Sequence, residues 1–161
     1  MSIQQLIARI QPLDESAMQA ARARQDDLTK PRGSLGQLEE ISIKIAGITG
    51  HVRPKMTHKV VTTMAGDHGV VAEGVSAYPS EVTPQMVMNF VFGGAAINVF
   101  AKHVGARVVI VDMGVASELN HPAVVNKKIA LGTQNIAQGP AMTRQQAIQS
   151  IEAGASVVAD E

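Results

Sequence analysis

The sequence predicts an α/β fold, a parallel sheet with flanking helices preceded by a small helical subdomain. Three observations predict it. Residues 1–50 carry helical periodicity throughout. Two short β-branched runs follow, Val60-Val-Thr-Thr-Met-Ala65 and Arg107-Val-Val-Ile-Val111. A long helical pattern lies between those runs. Strand, crossover helix, strand is a βαβ unit, which makes the strands parallel and buries both of their faces. The expected division is therefore a helical subdomain at 1–50 and an α/β part at 51–161.

Within the first part, Ile3, Leu6, Ile7 and Ile10 share one face of a short helix that Ser2 caps and Pro12 ends. Asp14 is a good N-cap for a second, alanine-rich helix reaching about Leu28, with Met18 and Ala21 on a weak apolar face. Pro31 and Gly33 break it. Ser34 and Gln37 have capping-box spacing for a third helix, whose apolar stripe is Leu38, Ile41, Ile45 and Ile48 and whose end is Gly50. The basic turn at 28–36 reads as a capped interhelical turn rather than a phosphate loop, because Walker spacing is missing.

In the second part, Thr83-Pro84 reads as an N-cap followed by proline at the first helical position. The helix carries Val87, Met88, Val91 and Phe92, is interrupted at Gly93-Gly94, and resumes through Ile97, Val99 and Phe100 to Gly105. Residues 118–140 are loop-rich, with a short strand expected at Val124–Ala130. Thr143 and Gln146 form a capping box that opens a last helix from Arg144 to about Val158. Two clear strands are few for an α/β sheet, so the chain reads as truncated.

Composition narrows the function. The 161 residues carry 14 Lys plus Arg against 14 Asp plus Glu, which argues against nucleic acid or an anionic membrane as partner. Aromatics at 2% offer no base-stacking platform, and the lack of cysteine removes thiolate chemistry and disulfides. The N-terminus lacks a signal-peptide pattern, and no run is expected to approach transmembrane length. A cytoplasmic enzyme or binding protein is the default.

The candidate site is the stretch Met64–Pro79, at the carboxyl end of the first strand, where open α/β sheets bind ligands. It gathers Asp67, His68 and Glu73 with Gly66, Gly69, Gly74, Ser76 and the sole tyrosine, Tyr78. Asp112 ends the second strand at the same edge. Asp67, His68 and Asp112 could ligate a metal and support a hydrolase, but they lack specific ligand spacing. The simpler expectation is that Asp67 caps the glycine-rich turn and His68 bonds locally. There is no Gly-x-Ser-x-Gly and no Gly-x-Gly-x-x-Gly after a strand. The loop suits a flat apolar ligand, with walls from Tyr78, Pro79, Val82 and Met86 and orienting contacts from Ser76, Gln85 and Glu73.

Five collinear segments resemble one family: Leu28-Thr-Lys-Pro-Arg-Gly-Ser-Leu-Gly-Gln-Leu-Glu39, Ala65-Gly-Asp-His-Gly-Val-Val-Ala-Glu-Gly-Val-Ser-Ala-Tyr-Pro79, Gly93-Gly-Ala-Ala-Ile-Asn98, Val111-Asp-Met-Gly-Val115 and Asn135-Ile-Ala-Gln-Gly-Pro-Ala-Met142. They resemble the nicotinate-nucleotide–dimethylbenzimidazole phosphoribosyltransferases across nearly the whole chain. The resemblance implies a Rossmann-like domain plus a small helical domain, in a homodimer that needs no metal and no cofactor. It implies transfer of phosphoribose from nicotinate mononucleotide to 5,6-dimethylbenzimidazole, giving α-ribazole 5′-phosphate for nucleotide loop assembly in cobalamin biosynthesis. The ring pocket would border Tyr78, Pro79 and Met86. Some members have Ser in place of Tyr78 and Gln in place of Met86, so Ser76 and Gln85 are the substitutes expected here. Gly66, Asp67, His68, Gly69, Glu73 and Asp112 would shape the loop. Family members extend well beyond Glu161, and their general-base glutamate and glycine-rich phosphate segment lie in that distal part. The 161 residues alone are therefore expected to be inactive. A non-catalytic benzimidazole-binding or assembly module is the alternative.

Overall fold

A computed structural model describes residues 2–161. Its elements are α1 (Ile3–Arg9), α2 (Glu15–Asp26), α3 (Gln37–Thr49), β1 (Val60–Gly66), a 3-10 turn (Gly69–Glu73), α4 (Val82–Val91), α5 (Ala96–His103), β2 (Arg107–Gly114), β3 (Val124–Asn126) and α6 (Arg144–Asp160). They form two compact units. One is Ala8–Thr57; the other joins Met1–Ile7 to His58–Glu161. The boundary thus falls at 57/58 rather than 50/51. The first residues go with the sheet because the Ile3 amide donates to Glu152 Oε1 of α6 at 3.1 Å.

The sheet has three parallel strands in the order β1-β2-β3. Side chains alternate across a strand, and β2, in the centre, is apolar on both faces. Ile110 packs with Val87 of α4 and Val115, supported by Val108, Ala65 and Phe90. Val109 and Val111 pack with Val157 of α6 on the opposite face. Helices therefore cover both sides, which is why the run at 107–111 reads as unbroken hydrophobicity. The third strand supplies the neighbour that two strands lacked. It stops at Asn126, short of the expected Ala130, because Asn126 Oδ1 accepts from the Lys128 amide and turns the chain.

α4 begins earlier than expected. Its N-cap is Glu81, not Thr83, so Pro84 lies within the first turn, where a missing N–H breaks no helical bond. Thr83 is instead spent on Asp67, described below. α4 and α5 together span Val82–His103, 22 residues that are long and apolar enough by length and composition to cross a membrane, contrary to expectation. The break at Gly93, with φ of +79°, leaves two helices of 10 and 8 residues. Each is shorter than the roughly 20 residues a membrane span requires.

In the helical unit, Asp14 Oδ1 caps α2 by accepting from the Ala17 amide at 2.9 Å. Two sequence expectations for α3 give way. Its buried face is Ile43, Ala46 and Gly47, packed on Met18 and Ala21, while Leu38, Ile41 and Ile48 are exposed. Small residues let the two helices approach closely, and the larger stripe is left outside. Ser34 and Gln37 form no capping box, since the N-cap is Gly36. Glu39 takes the role. Its carboxylate accepts from Lys30 Nζ at 2.7 Å and from the Leu35 amide at 3.1 Å. Those bonds, Lys30 first, hold the Glu39 carboxyl below its ordinary value of 4.5.

A lowered folded-state value means the stabilisation is complete above pH 4.5 and fades as pH falls through the folded value. Denaturant unfolding at neutral pH and at about pH 3 should show this loss for the native chain, and Glu39→Gln should shrink it. An equal acid loss in both proteins would count against the assignment.

Candidate functional site

β1 delivers Gly66, Asp67 and His68 to the carboxyl edge of the sheet, and β2 delivers Asp112, in register with Ala65. Asp67 is buried, and both its oxygens are bonded. Oδ1 accepts from the Thr83 hydroxyl of α4 at 2.6 Å, and Oδ2 accepts from the Ala116 amide at 2.7 Å. The side chain therefore does not cap its own turn, as expected from sequence, but links β1 to α4 and to the loop after β2. His68 serves through its backbone. Its carbonyl accepts from the Val71 amide, and it bridges to Thr133. Gly69 is required by close approach, since a Cβ there would lie 2.6 Å from the Asn135 nitrogen.

A cavity of about 420 Å³ opens beside this edge. Val71, Tyr78, Pro79, Met86 and Phe90 form its apolar walls, with Ser76, Thr83, Asp67 and His68 as polar points. That size falls in the roughly 300–1,000 Å³ range of small-molecule sites. The structure thus brings Ser76, Tyr78, Pro79 and Met86 together with Asp67 and His68. It leaves out Gln85, which is exposed on α4 and lines no part of the cavity, and Glu73. The Glu73 carboxylate accepts from Asn135 Nδ2 at 2.6 Å, fastening the loop to the segment after β3. Ser76 is committed as well. Its hydroxyl donates to the Tyr78 carbonyl at 2.7 Å and accepts from the Tyr78 amide at 3.2 Å. Val71 lies in the candidate stretch but is not read there as a wall, and Phe90 is missed. Helical spacing from Met86 through Phe90 was the available signal for one of them.

Asp112 is fully buried and turned to its own loop. Oδ1 accepts from the amides of Gly114 (3.1 Å) and Val115 (2.9 Å), and Oδ2 lies 3.2 Å from Lys128 Nζ. Among the described residues no three His, Cys, Asp or Glu side chains are grouped to hold a metal ion. Asp67, His68 and Asp112 do not assemble as the hydrolase reading requires, because hydrogen bonding has already committed both carboxylates.

A family model described as a phosphoribosyltransferase matches residues 10–161. The chain belongs to the nicotinate-nucleotide–dimethylbenzimidazole phosphoribosyltransferase family. Among relatives so named, that of Roseiflexus sp. (strain RS-1) is 58% identical over 98% of this chain and 45% of its own length. That of Chloroflexus aggregans is 61% identical over 93% of this chain and 43% of its own length. The crystal structure of CobT from Thermus thermophilus aligns with a TM-score of 0.81 at 49% identity, covering 88% of this chain and 43% of that one. The chain spans less than half the length of the relatives it matches. Membership in the family agrees with the parallel α/β architecture.

Removing the Asp67 carboxylate takes the charged acceptor from a part-buried hydroxyl and a part-buried amide. Asp67→Ala should cost about 2–3 kcal/mol of unfolding free energy, the scale of hydrogen bonds to a charged group. Denaturant unfolding checks it, and a loss within experimental error would remove Asp67 from this role.

Proposed function

We infer that this chain supplies the acceptor-base side of a phosphoribosyltransferase site. The base is 5,6-dimethylbenzimidazole and the donor is nicotinate mononucleotide. A ring nitrogen of the base bonds to ribose C1′ as the bond from C1′ to the nicotinate nitrogen breaks. The base loses its ring proton, and the products are α-ribazole 5′-phosphate and nicotinate. The product serves nucleotide loop assembly in cobalamin biosynthesis, carried out by a cytoplasmic homodimer.

One observation carries this reading: the apolar cavity at the carboxyl edge of the sheet, walled by Tyr78, Pro79, Met86 and Phe90. A flat methylated ring gains by leaving water for such walls. Two polar side chains at the cavity are engaged with the protein itself. Asp67 bonds Thr83 and Ala116, and Ser76 bonds the Tyr78 backbone. Shape and apolar contact favour a flat ring, with the His68 imidazole and the Tyr78 hydroxyl also at the cavity. General-base catalysis needs a basic side chain within reach of the ring nitrogen, and in this family that group is a carboxylate by resemblance. Asp67 is occupied, and Glu73 lies outside the cavity on Asn135. The base that takes the proton belongs to the distal half of the family, and these 161 residues alone do not turn over.

Product chromatography with both substrates tests this. A protein of the relatives' full length carrying this segment should make α-ribazole phosphate. Met86→Glu in it should raise the KM for dimethylbenzimidazole at least about tenfold, and Gln85→Glu should change it less than about twofold. The 161 residues alone should be slower by about a hundredfold or more, the low end of what general-base catalysis contributes. Equal turnover by the short chain, or indifference to Met86→Glu, would overturn the reading.

A further inference from the structure

Lys128 lies outside the cavity and is nearly buried, with its side chain 11% exposed. Its ammonium donates to the carbonyls of Val115 (2.9 Å) and Ser117 (2.5 Å) and pairs with Asp112 Oδ2 at 3.2 Å. Two of the ammonium's donors are used on the carbonyls, and the contact with Asp112 is an ion pair without hydrogen-bond geometry. The two carbonyls belong to residues on either side of Ala116. The Ala116 amide is the group that holds Asp67, and Asp67 holds Thr83 on α4. α4 carries Met86 and Phe90 into the cavity wall. Ala116 and Ser117 also face Ser80, Glu81 and Pro84 across a cleft of about 240 Å³, so the loop stands directly against the start of α4.

We propose that Lys128 is a positioning residue for the acceptor-base cavity, acting through the 115–117 loop and Asp67 on α4. Val115 is anchored in the core, but Ala116 and Ser117 are exposed, and the two carbonyl bonds add a hold on either side of Ala116. An ammonium is the side chain suited to that task, because it satisfies two carbonyls and balances the buried Asp112 charge from one point. Without it the Ala116 amide loses its fixed direction toward Asp67. The wall made by Met86 and Phe90 then loses its register against the ring. The role in base binding rests on the function proposed above, whereas the mechanical link does not.

The test uses two readouts. Lys128→Met alone would strand the Asp112 charge, so Asp112→Asn is combined with it. That pair should keep the fold, speed amide exchange at Ala116 about tenfold in NMR, and weaken 5,6-dimethylbenzimidazole about tenfold by titration calorimetry. Thr83→Val should weaken the base similarly, and adding it to the pair should cost little more, because all three substitutions act along one path. Lys128→Arg keeps the charge but cannot place one nitrogen on all three oxygens. It should quicken Ala116 exchange to a smaller degree, and it carries the test if the double variant does not fold. Unchanged exchange at Ala116 overturns the proposal, as do losses of base affinity that simply add. If the native chain binds no dimethylbenzimidazole, the proposed function fails, and the exchange arm still decides whether Lys128 holds the loop.

Discussion

The Asp67 carboxylate is the interaction on which the rest of the site depends. It sits just past the end of β1, buried, with a hydroxyl from α4 on one oxygen and an amide from the loop after β2 on the other. Three pieces of chain distant in sequence meet there. A buried carboxylate without donors would be strongly unfavourable, so the fold has reason to keep both partners in place. The same two bonds define what Asp67 does not do. An oxygen engaged at 2.6 Å or 2.7 Å with the protein is poorly placed to accept a substrate proton or to hold a metal.

The sheet explains why this happens at its carboxyl edge. Parallel strands that are buried on both faces leave little room for polar chemistry within the sheet. Val109 and Val111 are committed to α6, and Ile110 to α4. Only the strand ends are free to present carboxylates. Asp67 and Asp112 occupy those ends and are used to organise loops, one across elements and one within its own turn. With the carboxylates so occupied, the space between the loop and α4 is left apolar. That is the character a methylated aromatic ring calls for.

Much of the fold was legible because it rests on local rules. The β-branched runs gave β1 and β2, Thr143 with Gln146 gave the start of α6, and Asp14 gave the start of α2. The failures share a cause, which is competition from partners distant in sequence or from a neighbouring helix. Thr83 has the chemistry of an N-cap, but Asp67 takes its hydroxyl. Ser34 has capping-box spacing, but Glu39 is better placed because Lys30 joins it. The stripe Leu38, Ile41, Ile48 has core periodicity, but Ala46 and Gly47 allow closer helix contact. The site was legible as a location and as a set of apolar residues. The roles of its polar residues were not, because Ser76, Glu73 and Asp67 all spend their oxygens on partners that only the folded chain reveals.

The central claim is that the base lies in the cavity beside Asp67, against Met86 and Phe90. Methyl-labelled methionine NMR addresses it directly. With 5,6-dimethylbenzimidazole added, the Met86 methyl signal should move, while those of Met64 against α6, Met56 in the helical unit and Met142 stay in place. Shifts at Met64, Met142 or Met56 with Met86 unmoved would put the base elsewhere and contradict the account.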